Sequence, residues 1–317
     1  MIKNKFSLFL ATFLFIGLIA LLFTSAQSLA QDKIDPDPPS MDSVGIDLTG
    51  GPDAFGYVFT DSTEPDGPDF SFIDISATGT PVPAILGDDL GSGPLPIGFN
   101  FNFYGTIFTQ FFAASNGYIS FDNSDLTDFS NDCPIPNPNT ANNSIYPLWD
   151  DLCLNGQVPD FLCGALTLPS GAFFETFNSC PNPSGGDGPC TIFMWQNAAF
   201  LNDQTSQFDF EVILYDNGNI LTQYGPGNPQ EGLASTTGIE NLGGTDALLY
   251  ACNAGDTITD GLAICFIHPD SPKQDCMPMQ NVVTTPIPTM SEWGLIAMAG
   301  ILGIVGFMVI RRRKVTA

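Results

Sequence analysis

Over residues 44–268 the apolar side chains never recur with the helical period of 3.6. They come in short runs with a period near two, cut by Gly, Pro, Asn and Asp. A period of two puts successive side chains on opposite faces of a strand, so such a chain buries apolar area by forming sheets. Candidate strands are 57–60, 70–75, 97–103, 107–113, 117–121, 172–177, 191–197, 206–215, 219–224, 235–240 and 261–267. Many short strands with turn residues between them predict an all-β fold, an antiparallel β-sandwich of jelly-roll-like type. The clearest hairpin joins 206–215 to 219–224. Phe208, Phe210, Val212 and Leu214 share one face, which is expected to be core, and Asn217-Gly218 offers positive φ for the tight turn. In the second clear strand Ile97, Phe99, Phe101 and Phe103 point one way, and Gly98, Asn100 and Asn102 the other.

Both ends of the chain are of a different kind. Lys3 and Lys5 precede an apolar run at 6–23, and Ser28-Leu29-Ala30 supplies small residues for a signal peptidase, so 1–30 reads as a secretory signal peptide. At the other end the 16 uncharged residues 295–310 are followed by Arg311, Arg312, Arg313 and Lys314. With Trp293 and Gly294 added, that helix would span roughly 27 Å, close to the hydrocarbon core of a thin bilayer. The four basic residues resist translocation and act as a stop-transfer signal, so the rest of the chain is expected outside the cytoplasm. The resulting plan is signal peptide 1–30, linker 31–43, β-sandwich ectodomain 44–268, stalk 269–286 and a tail at 287–314 with a single transmembrane helix at 295–310.

Charge narrows the partners. The exported part holds two basic residues, Lys33 and Lys273, against all 34 acidic residues, a formal balance of −32. Such a field repels nucleic acid and anionic lipid and favours divalent cations and cationic polymers. The 27 Phe supply a core that a disordered acidic chain would lack. Eight cysteines, Cys133, Cys153, Cys163, Cys180, Cys190, Cys252, Cys265 and Cys276, all lie in the exported part, and their even number reads as four disulfides. Connectivity does not follow from sequence. The preferred local pairs are Cys180 with Cys190 and Cys252 with Cys265.

The tail residues Ile287, Pro288, Thr289, Met290, Ser291, Glu292, Trp293 and Gly294, followed by the apolar helix and the arginine cluster, resemble the IPTL-CTERM sorting domain of Gram-negative bacteria. Met290 stands where that family usually has Leu. The resemblance implies recognition and cleavage by an exosortase-like membrane protease after export, and it covers about the last 30 residues. A second resemblance rests on 95–105, on Ser115-Asn116-Gly117-Tyr118-Ile119-Ser120-Phe121 and on Ile145-Tyr146-Pro147-Leu148-Trp149-Asp150-Asp151. These are similar to the nidogen-type extracellular module, with the 215–224 hairpin and Thr237-Gly238-Ile239-Glu240-Asn241 fitting its second half. That resemblance implies adhesion or matrix association without catalysis.

The residues themselves offer little chemistry. A Ser-His-Asp site would need His268, the sole histidine, and no Gly-x-Ser-x-Gly elbow accompanies it. No Cys-x-x-Cys suggests zinc. Asp88-Asp89 and Asp150-Asp151 are paired carboxylates, but neighbours on a strand point to opposite faces, so neither pair alone brackets a sugar. Calcium needs six to eight oxygens, which Asp- and Asn-rich loops can supply. Asp122-Asn123-Ser124-Asp125 and Asp216-Asn217-Gly218-Asn219 are weak candidates, and the second is better read as a turn. No catalytic residue, no metal ligand and no cofactor is assigned. The chain is expected to be a non-enzymatic surface or extracellular-matrix protein. It would be an inner-membrane precursor, then pass to the cell envelope or outside, with a surface glycan or matrix polymer as partner. The alternatives are a polysaccharide hydrolase using two distant carboxylates and a calcium-stabilised structural module.

Overall fold

The computed structural model describes residues 49–271, apart from 124, 140, 155–161, 165, 183 and 185–187, together with helical residues 299–302, 304, 307 and 308. The chain divides into two units, Met1–Pro278 and Met279–Ala317. The expected signal peptide 1–30 and linker 31–43, the motif Ile287 to Gly294, the basic cluster Arg311 to Lys314, Cys276 and most of the stalk lie outside the described residues. Within 295–310 the described residues are helical and exposed. No helix among the described residues is long and apolar enough to cross a membrane.

The first unit folds into β1 (Thr49–Gly50), β2 (Val58–Asp61), β3 (Thr80–Pro81), β4 (Leu95–Phe103), β5 (Thr106–Ala113), β6 (Ile119–Ser120), β7 (Ser144–Trp149), β8 (Leu152–Cys153), β9 (Gly171–Phe177), β10 (Cys190–Phe200), β11 (Asp203–Tyr215), β12 (Ile220–Tyr224), β13 (Thr236–Glu240), β14 (Ala247–Cys252) and β15 (Ala263–Ile267). One turn of 3-10 helix, Pro83–Ile85, precedes β4. One sheet runs β1-β2-β15-β12-β11-β10-β9-β3 with β8 paired to β10; the other runs β14-β13-β7-β6-β5-β4. All pairings are antiparallel. The fold is therefore all-β and antiparallel, as the periodicity predicts. The run β9-β10-β11-β12 is a meander of consecutive strands, which departs from the jelly-roll expectation.

The two sheets share one core. Phe208, Phe210, Val212 and Leu214 of β11 all point into it, beside Phe193 and Trp195 of β10 and Ile97, Phe101 and Phe103 of β4. Phe99 of β4 is only half-buried. Trp195 stacks on Phe210, with ring centroids 4.7 Å apart, and its Nε1 donates to the Ala114 carbonyl at 2.9 Å. That bond fastens a strand of one sheet to the end of β5 in the other. In the β11–β12 turn positive φ falls at Gly218 (87°) and not at Asn217, and Gly218 N–H donates to the Tyr215 carbonyl. The turn is thus a three-residue loop, 216–218, closed by a left-handed glycine, as the expected strand bounds imply.

Both sheets are covered on their outer faces too. Residues 70–75, expected as a strand, form none. They lie over the outer face of the nine-stranded sheet, where Phe72, Ile73 and Ile75 pack with Ile192, Met194, Ile213 and Leu221. The alternation 209, 211, 213, 215 along β11 turns from acidic to apolar on that face, and the apolar end needs a cover. On the six-stranded sheet, Tyr118, Tyr146 and Trp149 point away from the shared core and pack with Ile135 and Ala141 of the long β6–β7 connection. β7 holds Pro147 inside a paired strand, which sequence rules disfavour. It is tolerated because the register against β13 shifts there, between Thr236↔Trp149 and Gly238↔Tyr146.

Cys180 bonds to Cys190, as preferred from the sequence, and Cys153 to Cys163. Cys252 bonds to Cys133 and not to Cys265. The reason is topological: β14 and β15 follow each other in the chain but belong to different sheets. Cys265 is disulfide-bonded to a partner outside the described residues.

Candidate functional site

Sequence motifs from three separate stretches meet at one end of the sandwich, around Asn116. The β5–β6 connection is Ser115-Asn116-Gly117. Gly117 takes φ +77°, and a Cβ there would run into the Leu148 carbonyl, so the position demands glycine. Leu148 N–H donates to the Gly117 carbonyl and Asp150 N–H to the Asn116 carbonyl, which docks the end of β7 against the turn. Asn116 is fully buried. Its Oδ1 accepts from Leu152 N–H at 3.1 Å, while its Nδ2 donates to Asp89 Oδ1 and to the Asp128 carbonyl, both at 3.2 Å. The loop after the 3-10 turn is held by Leu90 N–H to Ser115 Oγ and Ser115 N–H to the Leu90 carbonyl, each 2.8 Å. Asp89 within it sits in the left-handed region, at φ 51°.

This folding brings Asp88, Asp89 and Asp151 together. One carboxylate oxygen from each lies within 4.8 Å of the others. Asp88 is 9 % and Asp151 5 % exposed. Asp150 is buried beside them and its Oδ1 accepts from Asp151 N–H at 2.7 Å. Asp128 is close by: burial, with the charges of Asp125, Asp132 and Asp89 adding, pushes its carboxyl up to about 6. No Lys or Arg occurs anywhere from 34 to 272, so no basic side chain of the domain offsets this charge.

Calcium binds oxygens at about 2.3–2.6 Å, so ligands on opposite sides of one ion stand about 4.6–5.2 Å apart. The three carboxylates fit inside that span. Magnesium, at about 2.0–2.1 Å, would need a tighter set. For sugar hydrolysis the carboxyl pairs stand about 5–5.5 Å or 6.5–9.5 Å apart, and this cluster is closer than either.

The two aspartate pairs thus contribute three residues to one cluster, which their separation in sequence does not reveal. Asn116 and Asp128 belong to the site without standing among the candidate residues of the sequence. The signal for Asn116 is the Ser-Asn-Gly turn; for Asp128 there is none. The 122–125 candidate does not join the cluster, although Tyr118 OH donates to the Asp125 carbonyl. The 216–219 segment is a hairpin turn. His268 is buried at the far end of β15, its ring edge-on to Tyr57 and Phe55, and its Nδ1 accepts from Asp270 N–H at 3.1 Å. Burial holds its pKa below the usual imidazole range.

No curated protein and no solved structure matches this chain. Two family models do: one described as NIDO related over residues 56–263, and the IPTL-CTERM motif over residues 285–314. The first spans the strands from β2 to the start of β15 and includes the whole Asn116 site. The second spans all of the tail motif and the basic cluster. Together they point to an exported, cell-surface protein. The chain belongs to the NIDO-related family and ends in an IPTL-CTERM motif.

Proposed function

We propose that this is a non-enzymatic surface protein, exported through its first 30 residues, held by its tail and cut there by an exosortase-like protease, which then associates with a glycan or matrix polymer. The observation that carries the reading is the presence of a NIDO-related domain and an IPTL-CTERM motif in one chain. The absence of a catalytic role is supported by the commitment of His268 Nδ1 to a local turn and of the described cysteines to disulfides. The exposed apolar side chains of Ile301, Leu302, Ile304 and Phe307 on helical backbone suit a segment that a bilayer covers before cleavage. Intact-mass measurement of the mature protein tests the sorting step. The expected mass lacks residues 1–30 and the tail beyond the motif; recovery of the full tail from cells with an active sorting protease would sink the reading. Co-sedimentation of the mature protein with matrix polysaccharide tests the second half, and no sedimentation at any ionic strength would remove it.

A second reading is favoured by the carboxylate cluster: a calcium ion bridges Asp88, Asp89 and Asp151 and stabilises the β5–β6 and β7–β8 junctions. At calcium 100-fold above Kd the folded state gains about 2.7 kcal/mol, or about 5–10 °C in Tm for a domain of this size. Chelator should lower Tm by that amount, and Asp88→Asn should abolish the difference. A Tm indifferent to chelator would reject a bound ion.

A further inference from the structure

The outer face of the nine-stranded sheet is closed by residues 69–75, and the closure does not use strand pairing. Ser71 N–H donates to Gln223 Oε1 at 2.7 Å and Gln223 Nε2 donates back to the Ser71 carbonyl at 2.9 Å, so one side-chain amide imitates a ladder rung. Ile73 N–H donates to Glu211 Oε1 at 3.1 Å, and Gln223 Nε2 reaches the same oxygen at 2.6 Å. Asn182 Nδ2 adds a bond to the Ser71 carbonyl at 3.0 Å, and Ser184 Oγ accepts from Asp69 N–H at 3.1 Å. Glu211 and Gln223 are both fully buried. Glu211 Oε2 has no hydrogen-bond partner among the described residues, nor has the hydroxyl of Tyr215, four residues on along the same strand.

We propose that residues 69–75 form a strap latched to the sheet by a neutral Glu211, and that ionising this carboxyl releases the strap and bares the apolar face beneath it. A carboxylate buried without a counter-charge is costly in an apolar setting. Every charged group packed near this one has the wrong sign to relieve that cost. Asp74 on the strap opposes ionisation of Glu211, Asp209 precedes it on the same face of β11, and Tyr215 is an acid held neutral by burial. Gln223 of β12 and Asn182 carry no charge. The bonds from Ile73 N–H and Gln223 Nε2 favour the ionised form, but burial outweighs them and pushes the Glu211 carboxyl up to about 8. With the strap released it would return to the ordinary range near 4.5. The closed form therefore holds one proton more than the open form between those values. Closure is fully favoured below about 4.5, weakens as pH rises, and reaches its floor above about 8. The opening constant should grow by up to tenfold per pH unit across that window. What release uncovers is an apolar patch made by Ile192, Met194, Ile213 and Leu221.

Hydrogen exchange on the full chain from pH 5 to 9, corrected for base catalysis, reads this directly. Protection of 69–75 should fall with pH and then level off, while amides paired between β10, β11 and β12 keep theirs. Glu211→Gln keeps both accepted bonds and should make strap protection independent of pH. If that variant does not fold, Asp74→Asn serves instead: it leaves Glu211 in place, removes a nearby charge and should move the levelling point to lower pH. Strap protection that does not change with pH in the native chain, or that falls together with the β10–β12 ladder, would overturn the proposal. So would an unchanged pH profile in either variant.

Discussion

Trp195→Ala should lower the unfolding free energy by about 3–5 kcal/mol, the range for removing a large aromatic side chain from a packed core. Trp195 is fully buried, stacked on Phe210 and edge-on to Phe193 at 4.5 Å. The truncation therefore leaves a cavity between the sheets. It also removes the donor to the Ala114 carbonyl, leaving an acceptor buried beside the Asn116 site. Trp195→Phe separates the two effects: it keeps an aromatic partner for Phe210, loses the hydrogen bond and should cost about half as much. Denaturant midpoints at constant m-value measure both. A loss below about 1.5 kcal/mol for alanine would mean that the two sheets are not held together through this side chain.

Breaking the Cys133–Cys252 bridge should cost about 4 kcal/mol. The two cysteines are 119 residues apart, and the chain-entropy model assigns about 4.7 kcal/mol to a loop near that length. The Cys180–Cys190 bridge spans 10 residues and should contribute about 2 kcal/mol less. The long bridge does something the short one does not. It ties the β6–β7 connection to the end of β14, beside the bonds from Asn131 Nδ2 to Thr236 Oγ1 and to Asn253 Oδ1. Its removal should open the cover over Tyr118, Tyr146 and Trp149 and raise protease cleavage within 122–143. Double Cys→Ala variants of each bridge, compared in denaturant and under limited proteolysis, check the order. An equal loss for both bridges would contradict it.

The pattern of one or two residues at a time was enough for the strand class, for the inward face of β11 and for the Cys180–Cys190 pair. These depend on neighbours in the chain. It was misleading where an element answers to something distant. Residues 70–75 carry the composition of a strand but serve as a cover. Residues 144–149, absent from the expected strands, pair as β7 because the register shift against β13 makes room for Pro147. Cys252 and Cys265 sit near each other in sequence and on separate sheets in space.

The candidate site divides in the same way. Asp88-Asp89 and Asp150-Asp151 were visible as acidic pairs, and the Ser-Asn-Gly and Trp-Asp-Asp segments were visible as family-like motifs. Their meeting was not, because it depends on Gly117 accepting a backbone approach from Leu148 and on Asn116 bonding to three chain segments at once.

Local alternation, terminal hydrophobicity and charge count are written along the chain. They sufficed for the strand class, for the IPTL-CTERM motif of the tail and for the lack of any internal cation to balance the acids. Which strands share a sheet, which aspartates share a site and which carboxyl is buried under a strap follow from contacts between residues tens to hundreds of positions apart. Such contacts are chosen by how two sheets and their covers pack as a whole, and no window of sequence contains that choice.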